Sequence, residues 1–310
     1  MRHISYTLFR FLPNSYEESI MILKNTFIKM NTKYSLENML FQDFVEVYGL
    51  DEFEVSMDAL ESFTINSSSE FAIRQFILKY PNDTIKQMKL WALDKNEHIR
   101  RLASEGCRPR LPWAISLVKY KNNPEEILPI LETLKDDESL YVRRSVANSL
   151  NDISKDNPQI VKNLTKKWIG IYKNRDWILK HGCRTLLKNS DLETLEMFGF
   201  KKNEDILIDN FLLNKKVKMG EDLGFSFTLK SCESLGKLRI EYSIDFLRLH
   251  NKYSKKVFKI SEGIYDQNDR KFIKVYSFKP ISTRKYYKGK HKLAIIVNGV
   301  TLDKQEFVML

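Results

Sequence analysis

Three carboxylates and one tryptophan stand where they could act on a positively charged group. Glu105 lies between Arg101 and Arg108 in the run Arg101-Leu-Ala-Ser-Glu105-Gly-Cys-Arg108. The spacings i, i+4 and i+7 bring these three side chains to one face of a helix. Two guanidinium groups would keep the carboxylate ionised there, aimed at something cationic. Glu70 has Arg74 one turn later, and Asp152 ends a polar face made by Arg144, Asn148 and Asn151. Trp113 is placed by Pro109 and Pro112. A rigidly held carboxylate can stabilise cationic charge in a transition state or orient a water molecule. Each residue also has a blander role: a structural ion pair, a tryptophan that plugs a core, an aspartate that forms a turn. Spacing alone does not choose the enzyme.

Other chemistries fit worse. The sequence has no Gly-rich phosphate loop and no HExxH. Its five histidines, His3, His98, His181, His250 and His291, are scattered, and no nucleophile–base arrangement emerges. Cys107, Cys183 and Cys232 lack CxxC or Cys/His spacing, so they read as reduced thiols without zinc. No metal or cofactor is expected.

The elements that must position these residues are helical over the first two thirds. Ile99, Leu102, Ala103 and Gly106 recur with helical period, and Gly106, Pro109 and Pro112 stop that helix. Related units recur at Ser69–Arg74, Ile99–Glu105, Val142–Asn148 and Ile178–Arg184. Steps near 40 residues with two helices each predict a HEAT-like solenoid. Arg101, Arg144 and Lys180 are equivalent in that frame, as are Glu105, Asn148 and Arg184, which predicts a column of polar groups on one surface. Partner helices are expected over 84–92, 124–135 and 158–172, with Asp83, Asn123 and Asn157 as caps. Residues 15–60 read as an acidic helical cap.

After about residue 200 the period changes to two. Leu238-Arg-Ile-Glu-Tyr-Ser-Ile-Asp-Phe246 alternates throughout, and further strands are expected at 225–229, 256–260, 270–278, 292–297 and 305–310. The expected architecture is an all-α helical-repeat domain, residues 1–200, followed by an antiparallel β-sandwich, residues 201–310.

The 310 residues carry a net charge of +11, which makes nucleic acid a plausible partner. Residues 1–66 hold 5 basic and 10 acidic side chains, residues 67–200 hold 23 and 17, and residues 201–310 hold 23 and 13. The run from Thr283 to Lys292 packs Arg284, Lys285, Lys288, Lys290 and Lys292 around two tyrosines and predicts a basic loop between strands. The stretch MRHISYTLFRFLPNS lacks the apolar core of a signal peptide, and no apolar run approaches a membrane span. A cytoplasmic monomer that does not touch membranes is expected.

The segments RRLASEGCRPRLPWA (100–114) and VRRSVANSLNDISKDNP (142–158) closely resemble the bacterial AlkC-type DNA alkylation repair glycosylases, relatives of the AlkD-type enzymes. SSSEFAIRQF (67–76) and HGCRTLLK (181–188) look like further pieces of that pattern, and TRKYYKGKHKL with VNG resembles the immunoglobulin-like domain that some members carry. The resemblance covers nearly the whole chain. It implies hydrolysis of the N-glycosidic bond of cationic alkylated bases, such as 3-methyladenine and 3-methylcytosine, in duplex DNA without base flipping. By the family pattern Glu70, Glu105, Trp113 and Asp152 fall on active-site positions. Arg74, Arg101, Arg108, Arg110, Arg144, Asn148, Lys180 and Arg184 are the expected DNA contacts of the helical part. Arg284, Lys285 and Lys288 are those of the β-domain. The alternative is a non-catalytic HEAT-repeat scaffold that binds DNA or protein.

Overall fold

The computed structural model describes residues 1–30, 32, 35–282 and 284–310. These divide into two compact units, Met1–Thr185 and Leu186–Leu310.

The first unit is helical. It opens with α1 (Arg2–Phe9), α2 (Tyr16–Met30), α3 (Met39–Tyr48) and α4 (Phe53–Thr64). Phe27, Phe41 and Phe63 form the core of this acidic end, with ring centroids 5.0, 5.2 and 5.3 Å apart. Then follow α5 (Ile73–Lys79), α6 (Pro81–Trp91), α7 (Glu97–Gly106), α8 (Val118–Asn122), α9 (Leu128–Leu134), α10 (Leu140–Ile153), α11 (Pro158–Trp168) and α12 (Lys173–Gly182). The helix α13 (Arg184–Lys188) spans the boundary between the units.

The repeat spacing corresponds to three successive helix pairs, α6–α7, α9–α10 and α11–α12. Helices α7, α10 and α12 lie side by side, with α6, α9 and α11 packed behind them. Local chemistry sets the ends. Pro81 and Pro158 start α6 and α11, where a missing N–H costs nothing. Asn96 caps α7 by accepting from His98 N at 2.9 Å, and Ser139 caps α10 by accepting from Tyr141 N at 3.2 Å. At Gly106 a Cβ would sit 2.6 Å from Ile73 Cγ2 and 2.9 Å from Met88 Cε, so only glycine lets the end of α7 approach α5 and α6 this closely.

Two expectations shift. Asp83 is inside the first turn of α6 and is not its cap. The expected helix start at Ser69 is a turn, with α5 beginning at Ile73, because Ser69 Oγ donates to the carbonyl of Leu60 at 2.8 Å and ties the chain down before it can coil.

The second unit contains α14 (Leu192–Met197) and a β-sandwich. Its strands are β1 (Leu207–Leu213), β2 (Lys216–Val217), β3 (Asp222–Lys230), β4 (Gly236–Leu247), β5 (Tyr253–Tyr265), β6 (Asp269–Ser277), β7 (Gly289–Val297) and β8 (Val300–Met309). One sheet has the order β1-β3-β6 and the other β2-β8-β7-β4-β5. All pairings are antiparallel except β2 with β8. Alternate residues fill the space between the sheets: Phe225, Phe227 and Leu229 from β3, Ile240, Ile244 and Phe246 from β4, Leu293 and Ile295 from β7. The alternating runs of the sequence lie within β3 to β8. Strands β1 and β2 carry no such run. A bulge between Asp209 and Leu212, with Asn210 at φ 53, breaks the alternation of β1, and β2 is two residues long.

Candidate active site

The last turn of α7 directs its carboxylate between two guanidinium groups; Arg101 is on the helix as the i, i+4 spacing predicts, whereas Arg108 lies past the helix end and reaches Glu105 from the turn. Arg108 Nη1 donates to Glu105 Oε1 at 2.5 Å, and Arg101 Nη2 lies 3.7 Å from the same oxygen. Among the described residues no hydrogen bond reaches Glu105 Oε2. Arg101 extends away to the turn before α5, where it donates to Glu70 Oε2 at 3.2 Å and Oε1 at 3.3 Å and to Ser68 Oγ at 2.6 Å. Its guanidinium also covers the ring of Tyr141, 4.9 Å from the centroid. Arg108 reaches across to α10 and donates through Nε to Asp152 Oδ2 at 2.9 Å. The other oxygen of Asp152 accepts from Lys155 Nζ at 3.0 Å. Two arginines thus link three carboxylates from three elements, in the order Glu70, Arg101, Glu105, Arg108, Asp152.

All three carboxylates are buried, so their charge is held in low dielectric and acts strongly on whatever approaches. Burial opposes the charge of Arg101, but Glu70 and Glu105 together with Tyr141 outweigh it and raise its pKa.

Arg74 plays a different part from the one expected. It does not pair with Glu70 and cannot reach DNA, being 0% exposed. Its Nη1 donates to the carbonyls of Gly106 and Arg108, both at 2.9 Å, and its Nε and Nη2 donate to the carbonyl of Ile115 at 2.9 and 2.5 Å. Burial lowers its pKa to about 10, which still leaves it charged at neutral pH. The guanidinium therefore gathers both ends of the turn after α7, a turn also closed by Leu117 N donating to Pro109 O at 3.2 Å. At its tip Trp113 is 99% exposed and has φ 62. A bulky residue in the left-handed region is strained, and a tryptophan left wholly in water buries none of its ring. The core-plugging role is excluded. Cys107, at the start of the turn, is buried, and burial raises its thiol to about 12, so it offers no nucleophile at neutral pH.

The remaining expected DNA contacts fall into two groups. Arg144 and Lys180 are exposed on α10 and α12. Arg184 Nη2 donates to Asn148 Oδ1 at 3.0 Å, so the column predicted from the repeats does bring these two together. Burial lowers the pKa of Arg184. Arg108 is buried with its nitrogens committed to Glu105 and Asp152, which removes it as a phosphate contact. Arg110 is held by Asp156 in a two-bond pair at 2.9 and 2.6 Å.

In the β-sandwich the basic segment 284–288 joins β6 to β7, and Thr283 lies outside the described residues. Lys285 and Lys288 are exposed. Arg284 is not a free loop cation: it donates to Tyr276 OH and lies over the ring of Phe246, 4.9 Å from its centroid. Tyr286 belongs to the core.

Comparison with known proteins follows the same division. Residues 49–186 match the family described as DNA alkylation repair enzyme, and residues 208–310 match the C-terminal Ig-like domain of an uncharacterised protein, YhaZ. The uncharacterized protein YhaZ of Bacillus subtilis (strain 168) is 45% identical over 309 residues, 99% of this chain and 85% of the relative. A solved structure, the Pseudomonas fluorescens alkylpurine DNA glycosylase AlkC bound to DNA containing an abasic site analog, superposes with a TM-score of 0.92 at 35% identity. That match covers 96% of this chain and 84% of the other. The chain belongs to the AlkC-like DNA alkylation repair family. The resemblance in the two long motifs thus extends over nearly the whole chain, and the AlkC-like helical domain is followed in the sequence by an Ig-like β-sandwich.

Four residues of this AlkC-like site escaped the sequence. Ser68 and Tyr141 hold Arg101, Ser69 anchors the turn that carries Glu70, and Lys155 ties Asp152. Only Lys155 had a local signal, its i+3 spacing from Asp152.

Proposed function

We propose that this AlkC-like chain is a monofunctional DNA glycosylase. It hydrolyses the N-glycosidic bond of cationic alkylated bases in duplex DNA, with 3-methyladenine and 3-methylcytosine as substrates, and does not extrude the base. The observation that carries this is Glu105. One of its oxygens is locked by Arg108 and, among the described residues, the other accepts no hydrogen bond, at the end of a helix whose following turn carries an exposed tryptophan, Trp113.

The chemistry follows. An alkylated base that already bears positive charge needs little protonation to leave. As the C1′–N bond breaks, its electron pair neutralises the base and positive charge develops on deoxyribose. The buried carboxylates stabilise that charge. Glu105 Oε2 can accept a hydrogen bond from water and take its proton as the water oxygen bonds C1′. Trp113 packs on the sugar or its backbone, where a ring face favours positive charge. Glu70 and Asp152 keep the arginines in register. Phosphates on either side are held by the exposed cations of the α7–α10–α12 face, Arg144 and Lys180 first, and by the β-domain through Lys285 and Lys288. No metal takes part in this scheme. The enzyme works as a cytoplasmic monomer. Incubation with methylated duplex DNA tests it: free alkylated base should be released, leaving an abasic site. Binding without release would instead establish the non-catalytic scaffold.

A further inference from the structure

The two edges of the β1-β3-β6 sheet, β1 and β6, differ in their surroundings. Along β1 the chain is met by β8, where Gln305 Nε2 donates to the carbonyl of Phe211 at 2.8 Å. Strand β6 pairs with β3 over nine residues on one side and, among the described residues, with no strand on the other. An open edge of this length presents unpaired N–H and C=O groups, and proteins ordinarily cover or blunt it.

Here the outward face beside that edge is apolar. The register places Leu212, Ser226 and Ile273 in one row and Gly224 beside Val275 in the next. Leu212, Ile273 and Val275 are 65%, 69% and 57% exposed. The small Ser226 and Gly224 between them leave a trough of about 540 Å³. Its lining carries two cations, Lys215 and Lys274, and no carboxylate among the described residues. Lys271 projects on the same face as Ile273. Among the described residues neither Lys271 nor Lys274 has a carboxylate partner.

We propose that the open edge of β6 is a docking site for an extended acidic segment of a partner protein, which adds to the sheet as a fourth strand. Main-chain hydrogen bonds to β6 supply affinity and alternate side chains supply specificity. Apolar residues of the segment pack on Ile273 and Val275 and into the trough, and its carboxylates, on the opposite face of the added strand, meet Lys274. Charge selects the occupant. A second copy of β6 would set the β6 lysines against like charges, and a nucleic acid strand would waste the apolar floor.

The full-length protein is titrated into a fluorescein-labelled peptide of alternating valine or isoleucine and glutamate or aspartate. A peptide with lysine at every acidic position serves as control, and binding is read by anisotropy. The acidic peptide should bind and the basic one should not. Ile273→Glu and Lys274→Glu, both at exposed or edge positions, should each weaken binding at least tenfold with an unchanged melting temperature. Amide hydrogen exchange should slow across 270–276 on peptide addition. The proposal is overturned if neither peptide binds, if both bind alike, or if the two variants bind like wild type. Protection of the same amides by concentration-dependent dimerisation or by single-stranded DNA, in place of the acidic peptide, overturns it equally.

Discussion

Arg108 and Asp152 are 44 residues apart in the chain and joined twice over, with Nε and Nη2 each 2.9 Å from Oδ2. Both are buried. The pair fixes the guanidinium that in turn grips Glu105, so one ion pair between the turn after α7 and α10 sets the position of the carboxylate at the end of α7.

Glu105→Gln keeps the shape of the side chain and removes its charge. Base release from methylated duplex should fall by about 10² or more, the scale associated with loss of a transition-state charge stabiliser. Affinity for DNA should hold or rise, since a negative charge near phosphate is gone. Excision near the wild-type rate in single-turnover assays would refute the assigned role.

Asp152→Asn should impair both activity and stability. Removing one charge of a buried pair leaves the other uncompensated, at a cost of about 3–5 kcal/mol. Retention of Lys155 close by adds a second unbalanced cation. Urea denaturation compared with Glu105→Gln checks this: a variant that loses excision while melting with the wild type would contradict a positioning role through Arg108.

Trp113→Ala should leave stability within about 0.5 kcal/mol, because the ring is fully in water and packs against nothing. Excision should nevertheless drop at least tenfold, as the contact to sugar or backbone is lost. Unaltered kcat and KM on methylated duplex would remove Trp113 from the site.

Arg74→Met should unfold the turn after α7 and not merely weaken DNA binding. Three carbonyls, those of Gly106, Arg108 and Ile115, lose a charged donor, and buried acceptors without partners cost about 1–3 kcal/mol each. Arg74→Lys should recover only part, since one ammonium cannot span all three. A stable Arg74→Met protein with a lower salt dependence of DNA binding would restore the phosphate-contact role.

Arg144→Ala should weaken binding to damaged and undamaged duplex alike, because phosphate contacts carry no sequence information. Replacing both Lys285 and Lys288 by alanine should flatten the slope of log affinity against log salt by about 0.9 for each contact removed. Fluorescence anisotropy over a salt series measures both, and an unchanged slope in the double variant would eliminate the β-domain as a clamp.

What the sequence determined by itself was local. Arg101 and Glu105, at i and i+4, need only a helix to approach each other, whereas Arg108 joins them from beyond the helix end. Gly106 and Pro109 end that helix by backbone chemistry alone. The alternation from Leu238 to Phe246 needs only a sheet with one buried face. The recurrence of α7, α10 and α12 was legible because each repeats the same apolar spacing, and it brought Asn148 and Arg184 together as expected. Tertiary structure decided the rest, because it turns on partners far apart in the chain. Glu70 looked paired with Arg74 four residues on, yet the anchor at Ser69 holds it in a turn and it meets Arg101 instead, 31 residues away. Arg74 is drawn into the interior by carbonyls more than 30 residues distant, which no spacing rule contains. Spacing alone left Trp113 either a site residue or a core plug, and the turn drawn together by those same bonds leaves its ring in water.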